Sequence, residues 1–241
     1  MHEAQLHDEL MFLTLTYDDK FLPFGGNLHP PHMTNFIKRV RKAGHQIRYY
    51  YCGEYGDKND RPHYHAIIFG WWPTDAYHWR TQEKYKYYRS EQLEKLWKFG
   101  NSEFTTVTKK TCSYVARYVT KKITGDDAED HYERVDLETG EIFSLLPEFA
   151  RMSLRPAIAR EWWEKYGQAV TDWDSVVIDG NELPPPKYYD TLLGLNDEQL
   201  LEDIKRKRVR KAKASPDNKP ARLATREESA KLKLKRLKRE L

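Results

Sequence analysis

The chain of 241 residues is poor in cysteine and has no long apolar run. Its two cysteines, Cys52 and Cys112, are too few for a disulfide framework or for a zinc site of four thiolates. No stretch approaches the number of apolar residues that a membrane span needs. The opening MHEAQLHDEL carries charges of both signs and lacks the apolar core of a signal peptide. These absences predict a protein that works in a reducing cytoplasm.

Charge is distributed unevenly along the chain, although the net charge is only +4. Residues 205–241 hold sixteen Lys or Arg and four Asp or Glu, which gives this basic tail a net charge of +12 and leaves −8 on the rest. A basic tail on an acidic body suggests an arm for an anionic polymer. A solvated, partly disordered tail explains the pattern equally well. The aromatic content of 13% fits base stacking as well as core packing.

Hydrophobic periodicity predicts an α+β fold. Strands are expected over residues 11–19, 47–54, 63–70 and 103–108, and helices over 34–44, 90–100, 112–125 and 155–167. Gly, Asn, Asp and Pro cluster between the second and third strands, which predicts a hairpin. At least part of the sheet is therefore antiparallel, and we expect the helices to pack on one of its faces.

Two histidines begin the third predicted strand. Side chains in a strand alternate between faces, so His63 and His65 lie on the same face. Glu54 lies near the end of the preceding strand, roughly across the hairpin, and the right register brings it to that face. Two imidazoles and a carboxylate suit Mg²⁺ or Mn²⁺. Because histidine pairs on exposed strands are common, the spacing alone leaves a role without metal open.

Two tyrosines and two lysines share a predicted helix. Tyr114 and Tyr118 are four residues apart on one face, and Lys121 and Lys122 follow close to that face. Periodicity alone favours tyrosines that pack the helix on the sheet. A phenol has a pKa of about 10 in water, so a nucleophilic role requires a base, a nearby positive charge or an electrophile polarised by a metal. Lysines and a metal would supply two of these.

Three segments in this order resemble the motifs of HUH endonucleases: FLTLTY (12–17), RPHYHAIIFG (61–70) and YVARYVTKK (114–122). The paired tyrosines narrow the resemblance to the replication initiation proteins of microviruses, especially the gokushovirus branch. The flanking segments YCGEYGDKNDRP, SLLPEFARMSLRPAIAREWWEKYG and PPPKYYD are also similar to that family. The resemblance extends from about residue 2 to about residue 205.

This resemblance implies a five-stranded antiparallel sheet with helices packed on it, and a divalent metal on His63, His65 and Glu54. It also implies that Tyr114 or Tyr118 attacks a DNA phosphate and leaves a 5′-phosphotyrosine and a free 3′-hydroxyl. The implied substrate is single-stranded DNA at a phage replication origin. The implied partners are the host helicase and polymerase, with no membrane, in the cytoplasm of the bacterial host.

The sequence predicts three regions: a catalytic core over 1–125, a family-specific extension over 126–204 that packs on the core, and the basic tail, helical or disordered. Two alternatives to a rolling-circle initiator stay open. One is a relaxase or a transposase of the same superfamily, against which only the second tyrosine argues. The other is a non-catalytic module that binds single-stranded nucleic acid on the same sheet and needs neither a metal nor a covalent adduct.

Overall fold

The computed structural model describes residues 1–56, 59–117, 122–123, 125 and 127–236. Two of the candidate site residues, Tyr118 and Lys121, lie outside this part of the chain. Contacts divide the chain into two compact units, Met1–Arg160 and Glu161–Leu241. The division into core, extension and tail stays a prediction, because compactness does not assign a role to a region.

The first unit is built on one antiparallel sheet, and the α+β class expected from the sequence is confirmed. Its strands are β1 (Leu10–Thr16), β2 (Arg48–Tyr55), β3 (Pro62–Phe69), β4 (Tyr77–Gln82), β5 (Tyr85–Arg89), β6 (Ser102–Thr105), β7 (Glu133–Val135), β8 (Ile142–Ser144) and β9 (Phe149–Met152). Strands β7 and β8 form a separate hairpin, and the others form a sheet in the order β4–β5–β6–β1–β3–β2–β9. The sheet has seven strands rather than five, because β9 joins one edge and the β4–β5 hairpin the other.

Helices cover the apolar face of this sheet. The first unit contains α1 (Pro30–Lys42), α2 (Glu91–Trp97), α3 (Lys109–Arg117) and α4 (Asp127–Tyr132). Residues from alternate positions of β1 and β3 and from α1 and α2 form one buried cluster, which includes Leu13, Leu15, Ala66, Ile68, Phe36, Val40 and Trp97. The predicted cap of α2 is confirmed, since the Ser90 side chain accepts a hydrogen bond from the Leu93 amide.

Helix α3 lies on the opposite face, so the expectation that helices cover only one face is wrong. The ring of Tyr114 contacts Phe12 and His65, which belong to the face that α1 and α2 leave open. The predicted end of this helix at Gly125 is also wrong, because Lys122 and Ile123 are not helical. The amide of Ile123 instead donates to the hydroxyl of Tyr132 at 3.1 Å.

The chain between α2 and β6 crosses the end of β1 at very short range. Gly100 has φ +153°, and a Cβ there would come within 2.5 Å of the Asp18 nitrogen and 2.6 Å of the Thr16 oxygen. The indole of Trp97 donates to the same Thr16 oxygen at 2.8 Å. Glycine is therefore required at this crossing, which holds Thr16 opposite His63.

The second unit is mainly helical. Its elements are α5 (Arg160–Trp173), β10 (Val176–Ile178), β11 (Asn181–Leu183), α6 (Lys187–Asn196), α7 (Glu198–Ala214) and α8 (Pro220–Arg236). Arg208 of α7 pairs with Asp174 at 2.6 Å and with Asp190 at 2.7 Å. The beginning of the basic tail thus belongs to a packed helix. Among the residues that the structure describes, no helix combines the length and the apolarity required to cross a membrane.

Candidate active site

Glu54, His63 and His65 meet on the open face of the sheet. In the register of β2 and β3, Glu54 lies opposite His63, and His65 follows two residues later on the same face. The Oε1 atom of Glu54 lies 2.9 Å from the Nε2 atom of each histidine. One ligand atom from each of the three residues lies within 4.8 Å of the other two. The structure therefore brings together the three residues that the sequence suggested as metal ligands, which we call the triad.

The triad is largely buried. Glu54 is 1% exposed and His65 is 6% exposed, while the side chain of His63 is 19% exposed. Burial raises the pKa of the Glu54 carboxyl, but the hydrogen bonds and charges of His63 and His65 together outweigh it and lower the pKa to about 2. The carboxylate is consequently ionised at neutral pH.

The orientation of His63 indicates that a cation belongs between the triad residues. Its Nδ1 atom lies 3.1 Å from the backbone oxygen of Arg61, which can only accept a hydrogen bond, so Nδ1 carries a proton. In a neutral imidazole, the Nε2 lone pair would then face the carboxylate of Glu54 at 2.9 Å. A proton or a metal ion must separate these two electron-rich atoms. The donor set therefore fits a bound divalent cation.

The sequence did not single out the groups that orient the histidines. Thr14 of β1 lies opposite His65, with its Oγ1 atom 3.0 Å from Nδ1 of that ring. The side chain of Arg61 is held by Asp19 at 2.6 Å and by the backbone oxygen of Tyr17 at 2.8 Å, which fixes the carbonyl that orients His63. Such partners set the tautomer and direction of ligating histidines. For Thr14, the only sequence signal was its place in the alternation of β1.

Tyr114 lies beside the triad. Its ring centroid is 5.1 Å from that of His65, edge-on at 86°, and 6.0 Å from that of Phe12. The residue is 5% exposed, and the guanidinium carbon of Arg117 lies 5.9 Å from its ring centroid. The packing role and the functional role thus concern the same ring, because contacts with the sheet hold the phenol next to a triad histidine.

The remaining candidates are not brought to the triad by the described residues. Lys122 is exposed in a non-helical segment. Tyr118 and Lys121 lie outside the described residues. The pairing of two tyrosines and the contribution of the two lysines therefore stay predictions.

Comparison with known proteins places this site within a family. The model of the ORF2 family of replication-associated proteins matches residues 10–123. The replication-associated protein VP4 of Bdellovibrio phage phiMH2K is 36% identical over 200 residues, which cover 78% of this chain and 59% of that protein. The replication-associated protein ORF4 of Chlamydia phage 1 is 32% identical over 203 residues, which cover 79% of this chain and 47% of that protein.

A third relative is the replication-associated protein ORF2 of Spiroplasma virus 4, 32% identical over 219 residues, which cover 84% of this chain and 64% of that protein. The matched parts thus span about half to two thirds of the length of these relatives. No solved structure gives a significant match. The segment that matches the family model contains the triad and Tyr114. The chain belongs to the ORF2 family of phage replication-associated proteins.

Proposed function

We propose that this protein initiates rolling-circle replication of a phage genome by nicking and rejoining single-stranded DNA through a tyrosine. The observation that supports this most strongly is the placement of the Tyr114 ring 5.1 Å from His65, beside a triad suited to Mg²⁺ or Mn²⁺. A divalent cation on Glu54, His63 and His65 would polarise the phosphate and offset the charge that develops on its oxygens.

The residues of the chain would act on a phosphate that joins two nucleotides. The phenolic oxygen of Tyr114 forms a bond to phosphorus while the bond from phosphorus to the 3′ oxygen breaks. The phenol loses its proton and the 3′ oxygen gains one, which leaves a 5′-phosphotyrosine and a free 3′-hydroxyl. One phosphoester replaces another, so the reaction needs no ATP. Arg117 lies close enough to the Tyr114 ring to favour loss of the phenolic proton.

A second tyrosine would complete the cycle. Tyr118 follows Tyr114 by four residues, which on a helix places their Cβ atoms about 5–6 Å apart. It would accept the newly made origin while the first tyrosine still holds DNA, and the exchange would release a closed circle. In this proposal Lys121 and Lys122 neutralise phosphate charge near the two phenols.

The proposed setting is the cytoplasm of a bacterial host. The substrate is unpaired DNA at a phage replication origin, because a base-paired strand cannot bring its backbone down to the sheet. The host helicase and polymerase would open the duplex and extend the 3′-hydroxyl.

Covalent capture from a random pool tests this proposal whatever the origin sequence is. The protein is incubated with Mn²⁺ and a random pool of single-stranded oligonucleotides, and adducts that survive SDS are isolated and sequenced. We expect adducts with the wild type that are absent in EDTA, and a recovered sequence motif. DNA binding without any adduct would instead favour the non-catalytic module.

The same adducts assign the nucleophile. Mapping of the DNA-linked peptide is expected to find Tyr114 and Tyr118, and Tyr114→Phe and Tyr118→Phe are each expected to retain some adduct. The double variant is expected to form none. An adduct confined to one tyrosine, with the other replaceable without loss of circle release, would favour a single-tyrosine relaxase or transposase.

A further inference from the structure

A groove opens beside the triad on the same face of the sheet. Its volume is about 300 Å³, at the lower end of the range for small-molecule sites, which suits one ring system rather than a larger ligand. The side chains that line it and matter here are Thr14, Thr16, Trp79, Arg89, Asn101 and Glu103. We call it the Trp79 groove.

Sheet register fixes how far this groove lies from the triad. Thr16 lies opposite His63, and its amide donates to the backbone oxygen of Asn101 at 3.0 Å. Thr14 lies between His65 on one side and Glu103 on the other. Neighbouring strands are about 4.8 Å apart, so the groove begins one strand away from the metal ligands. A DNA strand with its phosphate at the triad would place an adjacent nucleotide over it.

A β-bulge turns Trp79 toward this face. The register of β4 and β5 pairs His78 with Tyr88 and Arg80 with Tyr87, which leaves Trp79 as the extra residue. Two consecutive side chains consequently contact the same face, since Trp79 lies against Arg89 and Arg80 lies over Tyr87. Bulges commonly redirect side chains next to functional sites. The indole remains 51% exposed.

The polar side chains of the groove are held in place by one another. The guanidinium carbon of Arg89 lies 4.7 Å from the Trp79 ring centroid, and its Nη2 atom donates to the side-chain oxygen of Asn101 at 2.6 Å. Arg80 donates to both carboxylate oxygens of Glu103, at 2.7 and 3.0 Å. An exposed indole thus lies between two cations, with amide and carboxylate groups fixed beside it, before any ligand binds.

We propose that the Trp79 groove binds one unpaired nucleobase of the DNA strand, next to the phosphate that is cleaved. The base stacks on the indole of Trp79, its edge faces Asn101 and Glu103, and the flanking phosphates lie near Arg80 and Arg89. The identification of the ligand as the DNA substrate rests on the proposed function. A flat aromatic platform between cations suits a base and its phosphates better than a peptide or a lipid.

Two oligonucleotides separate base stacking from backbone attraction. Fluorescent oligo(dT) of fifteen nucleotides and an abasic strand of the same length are titrated in EDTA, so that no cleavage occurs. For Trp79→Ala we expect affinity for oligo(dT) to fall about tenfold to hundredfold, which is the range for one stacked base. Affinity for the abasic strand is expected to stay unchanged. Trp79→Leu, which preserves apolar volume on the edge strand, is expected to behave like Trp79→Ala, and Trp79→Phe to retain most of the affinity.

Trp173 provides a matched control, because it is 79% exposed and lies in the second unit. Trp173→Ala is expected to bind both strands as the wild type does. An unchanged affinity of Trp79→Ala for oligo(dT), or an equal loss on both strands, would overturn the proposal. If the wild type binds oligo(dT) through Trp79 but forms no covalent adduct with any sequence, the groove stands as a base-binding site and the proposed function fails.

Discussion

The two faces of the central sheet carry different chemistry on the same strands. In β1, Leu13 and Leu15 enter the core under α1 and α2, while Thr14 and Thr16 face the histidines. In β3, Ala66 alternates with His65 in the same way. Stability and the candidate chemistry are therefore separated by single residue steps, and a register shift of one residue would exchange them. Substitutions on the two faces should accordingly change different measured quantities.

The largest effect is expected on the open face. His63→Gln and His65→Gln retain a side-chain amide near the Glu54 carboxylate but remove an imidazole ligand. We expect adduct formation to fall by at least about a hundredfold, since loss of a ligand should exceed the 10–100-fold cost of losing an orienting partner. SDS-resistant adducts in Mn²⁺ and isothermal titration of the metal measure this.

Matched controls sharpen this comparison. His78→Gln, at an exposed position on β4, should leave both quantities unchanged. The double alanine variant of the triad histidines is a harsher test, because it leaves the buried Glu54 carboxylate without its partners. Adduct formation by that variant in EDTA would show that the triad does not act through a metal.

The opposite result is expected on the core face. Leu15 is fully buried, and Leu15→Ala should lower the free energy of unfolding by about 2–5 kcal/mol, because apolar surface is no longer buried and a cavity remains. Chemical denaturation measures this change. At low temperature, where the variant is still folded, adduct formation per folded molecule should equal that of the wild type. A selective loss of adduct at unchanged stability would contradict the separation of the two faces.

A smaller effect is expected for Thr14, which lies next to Leu15 but on the other face. Thr14→Val keeps the shape of the side chain and removes the hydroxyl that orients His65. We expect metal affinity to fall about 10–100-fold, measured by titration with Mn²⁺, and Thr14→Ser to restore most of it. Equal affinities for valine and threonine at this position would mean that the ring is held by packing on Phe12 alone.

The smallest effect is expected from the basic tail. Its first residues belong to α7, where Leu201 and Ile204 are buried and Arg208 holds two aspartates, so truncation after Ser215 is the cleaner variant. We expect the salt dependence of single-strand binding to decrease by about 0.7 for each phosphate that the shortened tail no longer neutralises, with sequence preference unchanged. Binding titrations over a range of NaCl concentrations measure the slope. An unchanged slope would leave this segment without a role in DNA affinity.

Local patterns in the sequence predicted the centre of the sheet and its triad. The alternation of β1 and β3 and the hairpin between β2 and β3 were sufficient, because Glu54, His63 and His65 lie on adjacent strands close in sequence. The β4–β5 hairpin was missed because its two-residue turn contains Glu83, at φ +54°, and Lys84 instead of the usual Asn-Gly.

Features that depend on distant pairing were not predictable. Strand β9 has only four residues and pairs with β2 from about a hundred positions away. The Trp79 groove requires β6 to lie between β1 and β5, and a bulge that no local pattern marks. The end of α3 depends on the contact of Ile123 with Tyr132, which periodicity cannot detect.

The bulge at Trp79 also matters for how copies of the protein meet in solution. Strand β4 is an edge of the sheet, and edge strands offer backbone groups to which another chain can add a strand. A bulge breaks the regular spacing of those groups and increases the local twist. At the other edge, β9 is too short to provide a long template. The extra residue that turns the indole toward the groove therefore also protects an open sheet against edge-to-edge aggregation.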